Sequence, residues 1–225
     1  MPAPTFSRSS KARLTRHDVG RFPDDTLFHR VARVVCGAGC LPRKELFEAW
    51  EVARRVRRRF RGGRIVDLCG GHGLLGQLLV LLDDTSPGAV IVDRTIPPSA
   101  ATLHEALVDA WPRMTGRVAF ETADIDAVPL SSGDVVVSVH ACGALTDAAL
   151  ARALQAEARV AVLPCCHDLA RSDDGGLSGW MPGPMAVDAA RALRMSAQGW
   201  QVWTQTIPDD ITPHNRLLMA APTVP

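Results

Sequence analysis

Residues 64–77 read RIVDLCGGHGLLGQ, and the reading of this stretch decides the fold. Ile65 and Val66 form a short apolar run closed by an acid, Asp67. Gly70, Gly71 and Gly73 follow, and then Leu74, Leu75, Leu78, Leu79 and Leu82 recur at helical spacing. The order is strand, glycine turn, helix. Glycines suit such a turn because it needs positive φ angles and because a ligand must come close to bare backbone. The first N–H groups of the helix have no intrahelical partners and point at that ligand.

The same alternation continues outward. Strands are expected at 64–68, 89–92, 117–122, 134–140 and 160–163, with helices at 72–82, 99–111, 146–155 and 185–198 between and after them. DVVVSVH, residues 134–140, is nearly all apolar, as a central parallel strand buried on both faces should be. Residues 200–206 and 216–221 read as a late antiparallel pair at the sheet edge. The pattern predicts a doubly wound α/β sheet, mostly parallel, with ligands outside the carboxyl ends of the strands. Each strand there is followed by something chemical: Asp67, Asp93 and Asp124 after the first three, His140 to Gly143 after the fourth, Cys165-Cys166-His167 after the fifth.

Two ligand classes use a glycine loop of this kind. Residues 71–76 match GxGxxG, the dinucleotide fingerprint, with Asp93 near the distance expected for a ribose contact. The alternative is the loop of class I S-adenosylmethionine (SAM) methyltransferases, which resembles acid-x-Gly-x-Gly-x-Gly. Here it becomes Asp67-x-Cys69-x-Gly71-x-Gly73, with Cys69 in place of the first glycine. A carboxylate beside the loop repels a pyrophosphate and suits a cationic amino group or sulfonium, so Asp67 favours SAM. On that reading Asp67, Cys69, Gly70, Gly71 and Gly73 line the cofactor, Asp93 accepts from the ribose hydroxyls, and Asp124 accepts from the adenine amino group.

VSVHACGALTD (137–147) and VLPCCHD (162–168) resemble the paired HACG-x-x-TD and PCC motifs of one SAM-dependent methyltransferase group. That group includes the methyltransferase domain of the glutathione-S-transferase C-terminal-domain-containing protein. It includes, more distantly, tRNA ribose 2′-O-methyltransferases. ITPHNRLLM (211–219) resembles the group's ending, with His214 where lysine is usual. The resemblance covers roughly residues 64–221 and implies a Rossmann-like fold and SAM as cofactor.

The roles of the candidate catalytic residues His140, Cys142 and Cys165 stay open at this point. His140 could take a proton from a hydroxyl nucleophile. A thiolate of Cys142 or Cys165 could attack a base ring, as in RNA 5-methylcytosine methyltransferases. His140, Cys142, Cys165, Cys166 and His167 have the ligand types for zinc but not its usual paired spacing, so no metal is assigned. Or these small residues simply let the chain turn tightly beside the cofactor.

Composition sets the remaining bounds. The 225 residues suit one domain, residues 64–225, with a basic N-terminal extension, residues 1–63. The net charge of +1 conceals 16 Lys/Arg against 6 Asp/Glu in residues 1–64, and 9 against 18 in the remainder. Such an arm either meets a polyanion such as RNA or docks on the acidic body. Residues 1–20 are polar and basic, and disorder is expected. A helix is expected over 24–35, broken by Cys36-Gly-Ala-Gly-Cys40. Cys36 and Cys40 read as two small buried thiols at that turn. The next helix, 43–61, carries the stripe Leu46, Trp50, Ala53, Val56 and Phe60, with arginines at 54, 55, 57, 58, 59 and 61 filling the rest. Arg54, Arg58 and Arg61 are the candidate phosphate contacts. There is no apolar run of membrane-spanning length and no apolar leader at the start. A cytoplasmic monomer with reduced thiols is expected. The sequence therefore reads as a SAM-dependent methyltransferase acting on RNA, with tRNA as the candidate. The alternatives are a small-molecule or protein methyltransferase, and a non-catalytic SAM-fold module that binds nucleic acid.

Overall fold

The computed structural model describes residues 6–223. Seven strands form one sheet: β1 (Ile65–Leu68), β2 (Ala89–Asp93), β3 (Val118–Thr122), β4 (Val135–Ser138), β5 (Arg159–Val162), β6 (Trp200–Thr206) and β7 (Arg216–Pro222). Their order across the sheet is β3-β2-β1-β4-β5-β7-β6. The first five are parallel; β7 pairs antiparallel with both β5 and β6. Six helices pack around it: α1 (Leu27–Ala38), α2 (Arg43–Arg59), α3 (Leu74–Leu81), α4 (Ser99–Ala110), α5 (Ala144–Gln155) and α6 (Gly183–Ala197). The expected doubly wound sheet with a C-terminal antiparallel pair is the observed one.

Side chains along a strand alternate between faces, and the core divides accordingly. Ile65, Val135, Val137 and Ala161 join α1 to α4 on one face. Val66, Leu68, Val136, Val160 and Val162 join α5 and α6 on the other. All four residues of β4 are buried, which is why its run is apolar without alternation. The chain reverses its winding between β1 and β4, so a crevice opens at their carboxyl ends.

The N-terminal segment departs from expectation. Residues 1–5 lie outside the described residues, but 6–20 are packed rather than disordered. Arg13 bridges Pro42, and the Leu14 N–H donates to the Leu41 carbonyl at 2.8 Å. Leu14 is fully buried in the same core as α1 to α4. Phe6 packs edge-on to Phe22 and Phe47, and the Arg43 guanidinium lies 3.7 Å from the Phe6 ring centre. A few apolar residues, Phe6, Leu14 and Phe22, anchor a stretch whose average composition is polar.

α1 also runs further than expected. It continues through Cys36 and Gly37 and stops at Gly39, whose φ of +64° is the usual left-handed helix stop. Cys36 and Cys40 are buried thiols, as read, and burial pushes Cys36 up to about 11.

Not every arginine of α2 faces solvent. Arg57 is 2% exposed. It donates to the Leu79 carbonyl and Ser86 Oγ, and pairs with Asp83 at 3.2 Å. Arg54 and Arg55 pair with Glu51 on their own helix. Arg61 is 3.9 Å from Asp83, Arg64 is 2.7 Å from Asp134, and Arg8 pairs with Asp210. Of the arm's arginines, Arg8, Arg57 and Arg61 thus meet acids of the body. Among the described residues no helix is long and apolar enough to cross a membrane.

Candidate active site

A cavity of about 380 Å³ lies at the carboxyl ends of β1, β2 and β4, at the point where the winding reverses. The glycine loop forms one wall. Gly71 and Gly73 take φ of +53° and +74°, and the Gly73 N–H donates to the Gly70 carbonyl at 2.8 Å. α3 starts at Leu74 directly behind. The strand, the turn and the helix are thus laid out as residues 64–77 predict.

Cys69, where the family pattern has glycine, adopts φ +56°. An L side chain there is strained by about 1–3 kcal/mol. Cys69→Gly should therefore raise stability by about 1 kcal/mol after the extra flexibility of glycine is counted, read as a higher denaturation midpoint. A drop in midpoint would show that the thiol's contacts outweigh the strain.

The aspartates divide in role. Asp67 is 2% exposed at the cavity floor, and its Oδ2 accepts from the Gly76 N–H at 2.9 Å. It lies on the face of β1 that meets α3, so it staples the loop to the helix. Burial pushes its carboxyl up to about 7, against the opposing pull of the Gly76 N–H. Asp93 ends β2 and is half-buried. Its Oδ2 accepts from the Gly71 N–H at 3.0 Å and its Oδ1 from the Thr95 N–H at 3.3 Å. Each oxygen keeps a lone pair for a ligand in the cavity it lines. Asp124 does not line this cavity. Its exposed carboxylate pairs with Arg94, and the neighbouring Ala123 and Ile125 line the wall instead.

His140 lines the cavity and is exposed at its mouth. The surrounding walls, with Lys44 and His72 nearby, hold its imidazole below the usual value. Cys142 and Cys165 are not part of the cavity lining. They lie on the two loops beside it, with their sulfurs 3.0 Å apart, and burial raises both thiols. The TD of the motif is structural. Thr146 Oγ1 donates to the Ala141 carbonyl at 2.6 Å, and Asp147 accepts two bonds from Arg191. On the other side of that arginine, Asp188 accepts from Arg216 at 2.7 Å and meets His167 Nε2 at 2.8 Å.

Several lining residues were not expected from the sequence. Glu45 and Ala49 reach the cavity from the first turns of α2, and His72, Arg94 and Leu145 complete its walls. His72 Nδ1 is 3.8 Å from Glu45, which closes the mouth on that side. Only the packing of α2 over α3 brings Glu45 there, and no local motif marks it. Arg54, Arg58 and Arg61 stand in the later turns of α2 and just past its end, Arg61 near Asp83, and none of them lines the cavity.

A seven-stranded sheet of this order, with a glycine loop and an acid at the end of the second strand, is the architecture of class I methyltransferases. The chain belongs to the family described as "Methyltransferase domain", whose model matches residues 45–173. That match begins inside α2, ahead of the glycine loop. No curated protein matches the sequence. Among solved structures, an O-methyltransferase family protein from Burkholderia thailandensis is similar at TM-score 0.52 and 17% identity, over 95% of this chain and 65% of that one. The m1A22 tRNA methyltransferase TrmK of B. subtilis is similar at 0.51 and 12%, over 79% and 65%. Magnesium protoporphyrin IX methyltransferase from Synechocystis, solved with bound SAH, is similar at 0.50 and 14%, over 92% and 94%. At these identities the likeness is one of fold. The chain spans about two thirds of the length of the first two.

Proposed function

We propose that the protein is a SAM-dependent methyltransferase and that its acceptor is RNA. The observation that carries the cofactor is the pairing of Asp93 with the Gly71 N–H at the cavity wall. It fixes a carboxylate with free lone pairs where a ribose diol would sit. The apolar wall of Val92, Ala123, Ile125 and Leu145 suits an adenine ring, and the space above Gly71, where no atom lies within 4 Å of an added Cβ, suits a group that must approach the backbone. These residues fit the cofactor. When bound, SAM supplies an electrophilic methyl on a sulfonium. The protein's own part is to hold the ribose with Asp93, to shape the loop with Asp67 and Gly73, and to present His140 at the mouth where an acceptor enters.

The support for RNA is spatial. α2 runs 17 residues, about 25 Å, from Glu45's end at the mouth to the exposed Arg58 and Arg61 at the far end. An extended polyanion such as RNA can touch both; a small acceptor cannot. If RNA follows this helix, changing Arg54, Arg58 and Arg61 together to Gln raises KM for transfer RNA and flattens the dependence of log affinity on log salt. The slope should fall by about 0.7–0.9 for each phosphate that is no longer neutralised. An unchanged slope and KM in the triple variant would remove RNA from this face and favour a small-molecule or protein acceptor.

A further inference from the structure

β4 and β5 are adjacent and parallel, so the loops leaving their carboxyl ends run side by side. The Gly143 N–H donates to the Cys166 carbonyl at 3.2 Å and ties the two loops together. Three cysteines converge there. The sulfurs of Cys142, Cys165 and Cys166 all lie within 4.8 Å of one another, and those of Cys142 and Cys165 are 3.0 Å apart. Among the described residues this is the one cluster of potential ligand atoms so close. Sulfurs on a shared tetrahedral zinc, at about 2.3 Å from it, stand about 3.8 Å from each other. One observed separation is 3.0 Å and none exceeds 4.8 Å, so shifts of about 1 Å bring the three sulfurs to that spacing. His140, two residues before Cys142, is not part of the cluster, so the five-residue set suggested by sequence contracts to three thiols.

A second feature stands next to it. His167 follows Cys166 directly, and its side chain is 1% exposed. Its Nε2–H points at the Asp188 carboxylate at 2.8 Å, which leaves the Nδ1 lone pair buried with no partner. That nitrogen is not among the clustered ligand atoms, so His167 braces the β5 loop through Asp188 and is not counted as a ligand.

We propose that Cys142, Cys165 and Cys166 form a three-thiolate site for a soft divalent metal, zinc by preference, with a fourth position open to solvent beside the cavity. Thiolate ligands select zinc over the hard cations magnesium and calcium. Each thiol gives its proton to the buffer as its sulfur bonds the metal, and no electron changes hands. The exposure of Cys142 and Cys166 leaves the metal an entry path and the open position. The site pins the β4 and β5 loops to each other at the point where His140 enters the cavity.

The test uses the full chain, produced with zinc in the medium, kept reduced and passed over a weak chelating resin. Elemental analysis should find one zinc per chain. Cys142→Ser and Cys165→Ser should each lose it, while Cys36→Ser, in the core of α1, should keep it. Cobalt added to metal-free wild type should give a thiolate-to-cobalt charge-transfer band with the visible bands of a tetrahedral ion. That titration decides the matter even if a serine variant fails to fold. Folded, reduced protein that holds no zinc, shows no such cobalt spectrum and leaves Cys142 and Cys166 free to titrate would overturn the proposal. So would a Cys142–Cys165 disulfide that persists in reducing buffer with zinc present.

Discussion

Arg191→Met should lower the stability of the protein by about 3 kcal/mol, the lower part of the range for breaking a buried ion pair. Arg191 is 1% exposed and holds Asp147 through two bonds, at 2.9 and 2.7 Å. Its Nη1 reaches Asp188 at 3.2 Å. Methionine fills the same space but leaves two carboxylates facing an apolar side chain. Asp188 keeps Arg216, and Asp147 is a third exposed, so part of the loss is recovered through Arg216 and water. This sets the expectation below the top of the range. Urea denaturation should show a lower midpoint with an unchanged slope. Because Asp147 opens α5 just after the HACG loop, the variant should also loosen the loop that carries His140 and Cys142. A loss under about 1 kcal/mol would show that the aspartates tolerate the removal of the arginine and that TD serves something other than this network.

Gly73→Ala should be nearly as costly and should abolish cofactor binding. A Cβ there would lie 2.4 Å from Ile91 Cδ1 and 2.9 Å from Phe120 Cε1, at a φ of +74°. The left-handed conformation costs an alanine about 1–2 kcal/mol and the overpacking about 1–3 kcal/mol. Ile91 can turn its terminal methyl, so the sum falls within about 2–5 kcal/mol rather than above it. Gly71→Ala is the informative partner. Its Cβ would meet nothing within 4 Å, so it carries the backbone strain alone. It should cost about 1–2 kcal/mol of stability yet still impair binding, because the open space it fills is the ligand's. Thermal melts with and without cofactor separate the two effects. A cofactor-induced melting shift in Gly71→Ala as large as that of the wild type would mean that the space above Gly71 is not used.

The parts of this protein that local chemistry determines were legible in its sequence. Asp67, the glycines and the leucine run specify strand, turn and helix within one short stretch. The apolar run of β4 marks a strand buried on both faces, and Asp93 sits at the end of its strand as read. What depends on distant packing was not legible. Leu14 and Phe6 look like members of a polar arm until Pro42, Phe22 and Phe47 are folded against them. Arg57 looks like its neighbours in the arginine run, and only the turn of α2 over α3 sends it to Leu79, Ser86 and Asp83. Asp124 follows β3 as expected, but its exposed carboxylate pairs with Arg94 and is not part of the cavity lining. Glu45, 22 residues ahead of Asp67, could not be assigned to the same cavity without the packing of α2 on α3.

Whether the crevice at the ends of β1, β2 and β4 takes SAM is decided by calorimetric titration of the protein with S-adenosylhomocysteine, set beside NADH. One site is expected for S-adenosylhomocysteine and none for NADH. Asp93→Ala should weaken binding by about 10- to 150-fold, from the loss of about 1.5–3 kcal/mol expected for hydrogen bonds to a charged group. No heat with S-adenosylhomocysteine on folded wild-type protein, or tight NADH binding that depends on Asp93, would contradict a SAM site.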